Sequence, residues 1–165
     1  MAAAGWGSQS DRDDRSGAAR ALNRHILDQG DVGSILILFQ EREPSFNAVN
    51  ISTALHRIAR LSRQLKELAA SRPTTLRWDS RFMKLGSKAI EHIQHFDPQE
   101  LMNMSSAFAT VRVRQEETSG AIAGRAVVRL EEFNPQALAN TAWAFATLGV
   151  RQAELLGAIA GRVLV

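Results

Sequence analysis

The chain has 165 residues, of which 45% are hydrophobic, and it carries a formal net charge of +3. This length and apolar content suffice for one folded unit and exclude wholesale disorder. The absence of cysteine from the sequence excludes disulfides, thiolate nucleophiles and zinc sites built on cysteine. Only four prolines, no tyrosine, and an abundance of alanine, leucine and arginine favour helices over sheets, so we predict an all-α protein.

The N-terminal part of the chain predicts a polar tail followed by a helical hairpin. Residues 1–15 contain three aspartates and no apolar run, which predicts a disordered segment without a secretory signal and without a clear transit peptide. A helix capped by Ser16 then runs to about residue 29, and after a break at Gly30 a second helix runs to Arg42. No run of 18 apolar residues occurs in the sequence, so we expect no membrane partner.

The strongest signal in the sequence is an internal duplication with a period of 37 residues. The segments that begin at Phe96 and Phe133 are identical at 20 of 33 aligned positions, whereas average residue usage gives roughly two or three identities by chance. A weaker copy begins at Phe46, and its extra 13 residues lie around 66–78, where a breaker-rich stretch predicts a lengthened loop. A period of this length predicts an α-solenoid of helical-hairpin repeats.

Each copy predicts two helices, which we call helix A and helix B. In the second copy Asp97 is an N-cap residue followed by proline, which is favoured at the first helical position. Helix A of this copy then runs to about Val111, and helix B runs from about Arg114 to Leu130. In the third copy Gly149 has the position of a C-cap.

These elements predict one repeat domain, 16–165, after the disordered segment. The domain comprises an N-terminal hairpin, 16–45, repeat 1 with its insertion, 46–95, repeat 2, 96–132, and repeat 3, 133–165. Because repeat 3 stops inside its second helix, we expect the solenoid to be truncated at its C-terminus.

Helix B carries glycines four residues apart in both strong copies, at Gly120 and Gly124 and at Gly157 and Gly161. A membrane helix dimer with this spacing requires an apolar helix, which Arg125 excludes. We interpret the glycines as residues that allow neighbouring repeats to pack closely.

A polar face of helix A is the candidate site. The apolar residues Leu101, Phe108 and Val111 recur at helical spacing and are predicted to face the core. The positions on the other face form a set that we call the A-helix column. Its members are Thr53, His56 and Arg60 in repeat 1, Asn103, Ser106 and Thr110 in repeat 2, and Asn140, Trp143 and Thr147 in repeat 3.

Two segments resemble known families of organellar proteins. A resemblance to the octotricopeptide repeat, a helical-hairpin module of RNA-binding proteins, lies in Pro135-Gln-Ala-Leu-Ala-Asn-Thr-Ala-Trp-Ala-Phe-Ala-Thr-Leu-Gly. The stretch 46–59 is similar to the region that opens helical-repeat proteins with a C-terminal RAP domain, although no RAP domain follows here. The resemblance covers roughly 46–165. It implies a non-catalytic protein of the mitochondrion or chloroplast that acts in RNA processing, stability, translation or ribosome assembly.

The partner implied by this resemblance is single-stranded RNA, either mRNA or rRNA. In a stack of hairpins one set of side chains per repeat can meet one nucleotide, so that Asn103 and Asn140 bind base edges and Trp143 stacks on a base. The segment 46–96 has nine lysines and arginines against three acids, a net charge of +6. Two of these residues, Arg57 and Arg63, join the predicted site because cations neutralise RNA phosphates.

Several alternatives stay open at this stage. The asparagines can instead satisfy backbone groups between A helices, Trp143 can be core between repeats, and helical arginines are often a solvated face. A protein-binding scaffold is the alternative function, because solenoids serve both roles, and a fragment that is inert without further repeats is a third. His92 and His95 lack a convincing third metal ligand, and no nucleotide-binding or nucleophile motif occurs, so we predict no catalytic residue, metal or cofactor.

Overall fold

The computed structural model describes residues 9–68, 76 and 79–163, with side chains from 17–64, 76 and 79–162. In this part of the chain there are eight α-helices and no β-strand, which confirms the all-α prediction. None of the described helices has the length and hydropathy that a bilayer-spanning segment requires. The helices are α1 (Gln9–Asp28), α2 (Val32–Arg42), α3 (Ala48–Leu68), α4 (Ser80–Glu91), α5 (Pro98–Val111), α6 (Glu116–Val128), α7 (Pro135–Leu148) and α8 (Ala153–Val163).

The helices pack in two rows, and successive helices of the chain alternate between them. In the first, which we call the A row, α3 lies between α1 and α5, and α5 packs on α7. In the second, the B row, α4 lies between α2 and α6, and α6 packs on α8. One continuous cluster of buried apolar side chains runs through helices of both rows, from Leu22 to Ile159.

The junction from a B-row helix to the next A-row helix is built in the same way three times. A single turn of 3-10 helix leads to Phe46, Phe96 or Phe133, each of which is extended and buried. The amide N–H of each phenylalanine donates to the carbonyl oxygen three residues earlier, at 3.1, 3.3 and 3.1 Å respectively. The same junction therefore recurs at the residue with which each of the three aligned segments begins.

The predicted N-caps are confirmed at the next residue of this junction. The Asp97 carboxylate accepts the amide N–H of Glu100 at 2.7 Å, and the Glu100 carboxylate accepts the amide N–H of Asp97 at 2.9 Å, which completes a capping box. The Asn134 side chain accepts the amide N–H of Ala137 at 2.7 Å. Both helices therefore begin with their first N–H groups satisfied.

The A-row helices of the two strong copies also end alike. Arg112 and Gly149 occupy equivalent positions and both adopt the left-handed conformation, with φ of 56° and 64°. The amide N–H of the following residue turns back to a helix carbonyl, from Val113 to Phe108 at 3.1 Å and from Val150 to Phe145 at 3.2 Å. The C-cap predicted at Gly149 is confirmed.

Two boundaries differ from the prediction. Helix α1 begins at Gln9, whereas the sequence analysis assigned 1–15 to disorder and the N-cap to Ser16. Aspartates near a helix N-terminus are stabilised by the helix dipole, and their polar surroundings resemble those of a disordered segment in composition. Helix α3 runs on to Leu68 and so takes part of the predicted insertion, while the loop predicted around 71–75 lies outside the described residues.

The packing role assigned to the helix B glycines is wrong. A Cβ added to any of them meets nothing within 4 Å, and all four are exposed: Gly120, Gly124, Gly157 and Gly161. The face that α6 buries carries Ile122, Ala123 and Ala126 instead. Helical spacing places the glycines on one stripe, but the position of the neighbouring helices decides whether that stripe faces the core.

Candidate nucleic-acid interface

The structure brings members of the A-helix column together across three helices. The side chain of Asn103 on α5 lies close enough to the imidazole of His56 on α3 to raise the pKa of that ring. On the other side, Asn140 Nδ2 of α7 donates a weak hydrogen bond to Met102 Sδ of α5 at 3.8 Å. The column is thus contiguous from α3 through α5 to α7.

The two asparagines of the column are held in the same way. Gln99 Nε2 donates to Asn103 Oδ1 at 3.2 Å, and Gln136 Nε2 donates to Asn140 Oδ1 at 3.2 Å. In both copies the amide oxygen accepts from the glutamine, and each amide keeps at least one N–H group as a donor for a ligand. In the described part of the chain neither asparagine side chain bonds to the backbone, so the alternative interpretation of these residues gains no support.

The column differs in exposure from one copy to the next. Trp143 and Thr147 of α7 are exposed, Trp143 with 52% of its surface accessible, which does not support Trp143 as core between repeats in this chain. Thr53 and Ser106 are half-buried. Thr110, with 5% of its surface accessible, is buried and does not lie on the open face to which the sequence analysis assigned it. The periodicity of one helix cannot show that a neighbouring helix covers this position.

The basic end of the column lies on α3. His56, Arg60 and Arg63 are exposed residues on this helix. Partial burial of the imidazole ring lowers the pKa of His56, and the positive charges of Arg63 and Arg60 lower it further. The nearby side chain of Asn103 has the opposite, smaller effect on this pKa. The low pKa is therefore partly a sign of the positive potential at this end of the surface.

Arg57 has another role than the one predicted. Its Nη2 donates to the main-chain oxygen of Gln29 at 3.0 Å, and its Nε is buried without a partner among the described residues. Arg57 therefore fastens α3 to the connection between α1 and α2 and is not an open phosphate contact. Its place in the predicted RNA-binding set is corrected on this ground.

Three further cations of the segment 46–96 are also engaged. Arg81 pairs with Asp79 at 2.7 Å and Lys88 with Glu91 at 2.6 Å, and Lys84 pairs with Glu43. The side chains of residues 66, 72 and 77 lie outside the described residues. In the described part, the arginines of this segment that have no acidic partner and stay exposed are Arg60 and Arg63.

A second set of arginines, not predicted from the sequence, fastens the B-row helices α6 and α8 to the turns that precede α5 and α7. Arg125 Nη2 donates to the main-chain oxygen of Gln94 at 2.8 Å, and Arg129 Nη1 donates to that of Phe96 at 2.6 Å. Arg162, the equivalent of Arg125, donates to the main-chain oxygen of Leu130. The signal in the sequence was the identical stretch Gly-Ala-Ile-Ala-Gly-Arg, which ends in this arginine in both copies.

The described residues offer little for a metal. Within 17–64 and 79–162 no group of three or more histidine, aspartate or glutamate side chains is placed to hold an ion. The rings of His92 and His95 are 6.4 Å apart, and His92 has a lowered pKa because its ring is partly buried and Lys88 is near. No cofactor chemistry is assigned to them.

These features define a class of protein: an all-α protein of repeated hairpins, with polar, aromatic and cationic side chains along one row of helices. The chain belongs to the RESC6 family, because its residues 53–165 match the family model described as RNA-editing substrate-binding complex 6 protein. This family is that of a component of the mitochondrial RNA-editing substrate-binding complex, which acts in organellar RNA processing.

The comparison confirms the broad prediction and corrects the narrow one. Organellar RNA processing is confirmed at the level of the family, and the family is RESC6, not specifically the octotricopeptide-repeat or RAP-domain proteins. A comparison with curated proteins finds no match.

Proposed function

We propose that this chain is a non-catalytic α-solenoid that binds single-stranded RNA within a mitochondrial RNA-editing substrate-binding complex. The observation that carries the proposal is the contiguity of the A-helix column, in which His56 meets Asn103 and α7 continues the surface with Asn140. The family name supports it, because an RNA-editing substrate is RNA. The mitochondrion is the proposed location for the same reason.

The solenoid architecture is part of the proposal. It is supported by the two rows of helices, by the junction that recurs at Phe46, Phe96 and Phe133, and by the common end of α5 and α7. In a solenoid, equivalent positions of successive repeats line one surface. A strand of RNA that follows the A row then meets one set of column residues in each copy.

We expect three kinds of contact with RNA along this surface: hydrogen bonds to bases, stacking on a base, and neutralisation of phosphates. The amide N–H groups of Asn103 and Asn140 donate to acceptors on base edges, while their oxygens accept from glutamines. The indole of Trp143 stacks on a base, which contributes about 1–3 kcal/mol at comparable platforms. Arg60 and Arg63 neutralise phosphates and make the affinity depend on salt. The remaining members of the column, Thr53, Ser106 and Thr147, line the path between these contacts.

The experiment is a salt titration of the binding of the purified chain to a pool of single-stranded RNA. The wild-type affinity is expected to fall steeply with salt. The double variant Arg60→Ala/Arg63→Ala is expected to reduce the slope of log K against log[salt] by about 0.7 for each phosphate that is no longer neutralised. Trp143→Ala is expected to weaken binding about 5- to 150-fold with little change in that slope.

A matched control is available on α1. Arg20 and Arg24 are exposed arginines on a helix that carries no column residue, and they lie four residues apart, so Arg20→Ala/Arg24→Ala removes the same charge. This variant is expected to bind RNA as the wild type does. If it loses as much affinity as the α3 pair, binding is a non-specific response to net charge and the column is not the RNA surface.

A protein-binding scaffold is the second candidate. It is favoured by the exposed apolar side chain of Val128 in the B row, of which 75% is accessible, and by the family's membership of a complex. An apolar protein contact tolerates salt, whereas an RNA contact does not. Absence of salt-dependent RNA binding, together with salt-tolerant capture of a subunit of the complex, would replace the RNA proposal with this one.

A further inference from the structure

A second row of cations lies where the A helices end and the chain turns towards the B row. We call this the A-to-B edge and define it by Arg63, Arg112, Arg114 and Arg151. Arg112 follows the last residue of α5, and Arg114 and Arg151 occupy equivalent positions in the turns after α5 and α7. Arg63 lies at the same level of α3, because it is the equivalent of Val113 in the next copy.

Arg112 stands in a backbone conformation that its residue type does not favour. Among the described residues it is the one non-glycine with positive φ, at 56°. A side chain in the left-handed region costs roughly 1–2 kcal/mol, which glycine avoids. The equivalent residue of the next copy is Gly149, with φ of 64°. The fold therefore accepts glycine at this position, and the turn itself gives no reason for an arginine.

The guanidinium of Arg112 is also unengaged. The residue is exposed, and it forms no hydrogen bond or ion pair with any side chain in the described part of the chain. Arg114, two residues later, differs because it pairs with Glu116 at 2.7 Å. Arg112 thus has an unfavourable backbone conformation and an exposed guanidinium without a partner among the described residues. Because residues in such conformations cluster at binding sites, this arrangement points to a ligand with negative charge.

The other charges at the edge leave this cation available. Arg63 and Arg151 are exposed on either side of it along the row. The acids Glu117 and Glu154 lie in the first turns of α6 and α8, where they offset the positive ends of those helices. The A-to-B edge thus carries unpaired guanidinium groups beside all three column helices, α3, α5 and α7.

We propose that Arg112, flanked by Arg63 and Arg151, binds phosphates of the RNA backbone along the A-to-B edge. This inference rests on the proposed function, and it divides the RNA between two surfaces of one protein. The column takes the bases and, through Arg60, the phosphates beside them, and the edge takes the sugar–phosphate chain along the ends of the A-row helices. A guanidinium suits this task because its planar donors match two phosphate oxygens at once.

The test uses a substitution that removes the cation and relieves the strain together. Arg112→Gly is expected to leave the midpoint of urea unfolding unchanged or higher, because glycine is favoured at positive φ. Its affinity for a pool of single-stranded RNA is expected to fall several-fold for every sequence, with the salt slope reduced by about 0.7. Arg112→Lys is expected to keep the slope, and Arg24→Ala on α1 to change neither quantity.

The outcomes separate this inference from the proposed function. If Arg112→Gly binds with wild-type affinity and slope while Arg60→Ala and Trp143→Ala lose binding, the A-to-B edge is not a phosphate site and the column remains the RNA surface. If Arg112→Gly lowers the unfolding midpoint, the arginine serves the fold and the inference is overturned. If the wild type shows no salt-dependent RNA binding, the proposed function fails and the inference fails with it.

Discussion

Gly86 of α4 lies directly against the ring of Phe108 of α5, so that a Cβ on Gly86 would be 2.8 Å from Phe108 Cζ. The same Cβ would also lie 2.8 Å from Gln115 Oε1. Phe108 has no room to retreat, because it is 2% exposed and its ring centroid lies 5.1 Å from that of Phe82. Gly86 is therefore the described glycine on which packing between helices depends.

Gly86→Ala is expected to lower the free energy of unfolding by about 1–3 kcal/mol, the usual cost of overpacking a core. Gly124→Ala is the matched control, because a Cβ there meets nothing within 4 Å. Alanine in an exposed helix is favoured over glycine by about 0.5–1 kcal/mol, so this variant is expected to be more stable. Urea unfolding of the two variants measures both signs. A stable Gly86→Ala or a destabilised Gly124→Ala would contradict the assigned helix faces.

The contrast between these glycines shows what the sequence can and cannot predict. The 37-residue period, the N-caps and the C-cap at Gly149 are local patterns, and each is present in the structure. Which stripe of a helix is covered depends on neighbouring helices, which local periodicity does not contain. The prediction therefore assigned Gly124 to packing and Thr110 to the surface, although Gly124 is exposed and Thr110 is buried.

The same reasoning applies to the candidate site. The positions of His56, Asn103 and Asn140 on one row followed from the repeat, because equivalent residues of stacked copies share a face. The role of each arginine did not follow, because a guanidinium that binds a main-chain oxygen looks the same in sequence as one that faces solvent. Arg57 is the first kind and Arg60 the second.

The contact between Arg125 and the main-chain oxygen of Gln94 gives a second prediction. Arg125→Ala removes a charge-assisted hydrogen bond of 2.8 Å that joins α6 to the turn after α4. Such bonds contribute about 1.5–3 kcal/mol to stability. Because this contact is exposed to solvent, the expected loss of stability lies near the lower end of that range. Thermal or urea unfolding against Arg24→Ala, an exposed arginine of α1, is the measurement. Equal stability of the two variants would show that the B-row arginines do not hold the copies together.

The two N-caps give a third prediction, because they differ in one bond. Asp97 takes part in a reciprocal capping box with Glu100, whereas Asn134 faces Ala137 and has no such partner. Asp97→Ala and Asn134→Ala are each expected to cost about 1 kcal/mol in the free energy of unfolding. Glu100→Ala is expected to cost more stability in the wild-type protein than in the Asp97→Ala variant. The two bonds of the capping box hold the same first turn, so that loss of one weakens the other. A double-mutant cycle by urea unfolding measures this coupling, and simple additivity would contradict it.

The lowered pKa of His56 sets the sign of two pH effects. Partial burial and the charges of Arg63 and Arg60 disfavour the charged ring in the folded protein. The contribution of His56 to stability is therefore fully present above the ordinary histidine pKa, 6.5, and is lost as the pH falls from that value through the lowered folded-state pKa. The free energy of unfolding of His56→Gln is expected to depend less on pH in this range than that of the wild type.

RNA reverses the environment of the same ring. A phosphate held by Arg60 and Arg63 favours the charged imidazole, so the pKa of His56 is expected to rise in the complex and a proton to be taken up on binding. RNA affinity at constant salt should therefore increase between pH 7.5 and about 5.5. Calorimetric titrations in two buffers of different ionisation enthalpy measure the proton uptake directly.

His92→Gln is the control, because the pKa of His92 is also lowered by burial but this residue follows α4 in the B row. Loss of the proton uptake in His56→Gln and its retention in His92→Gln would assign it to the column, and the reverse pattern would remove His56 from the RNA surface.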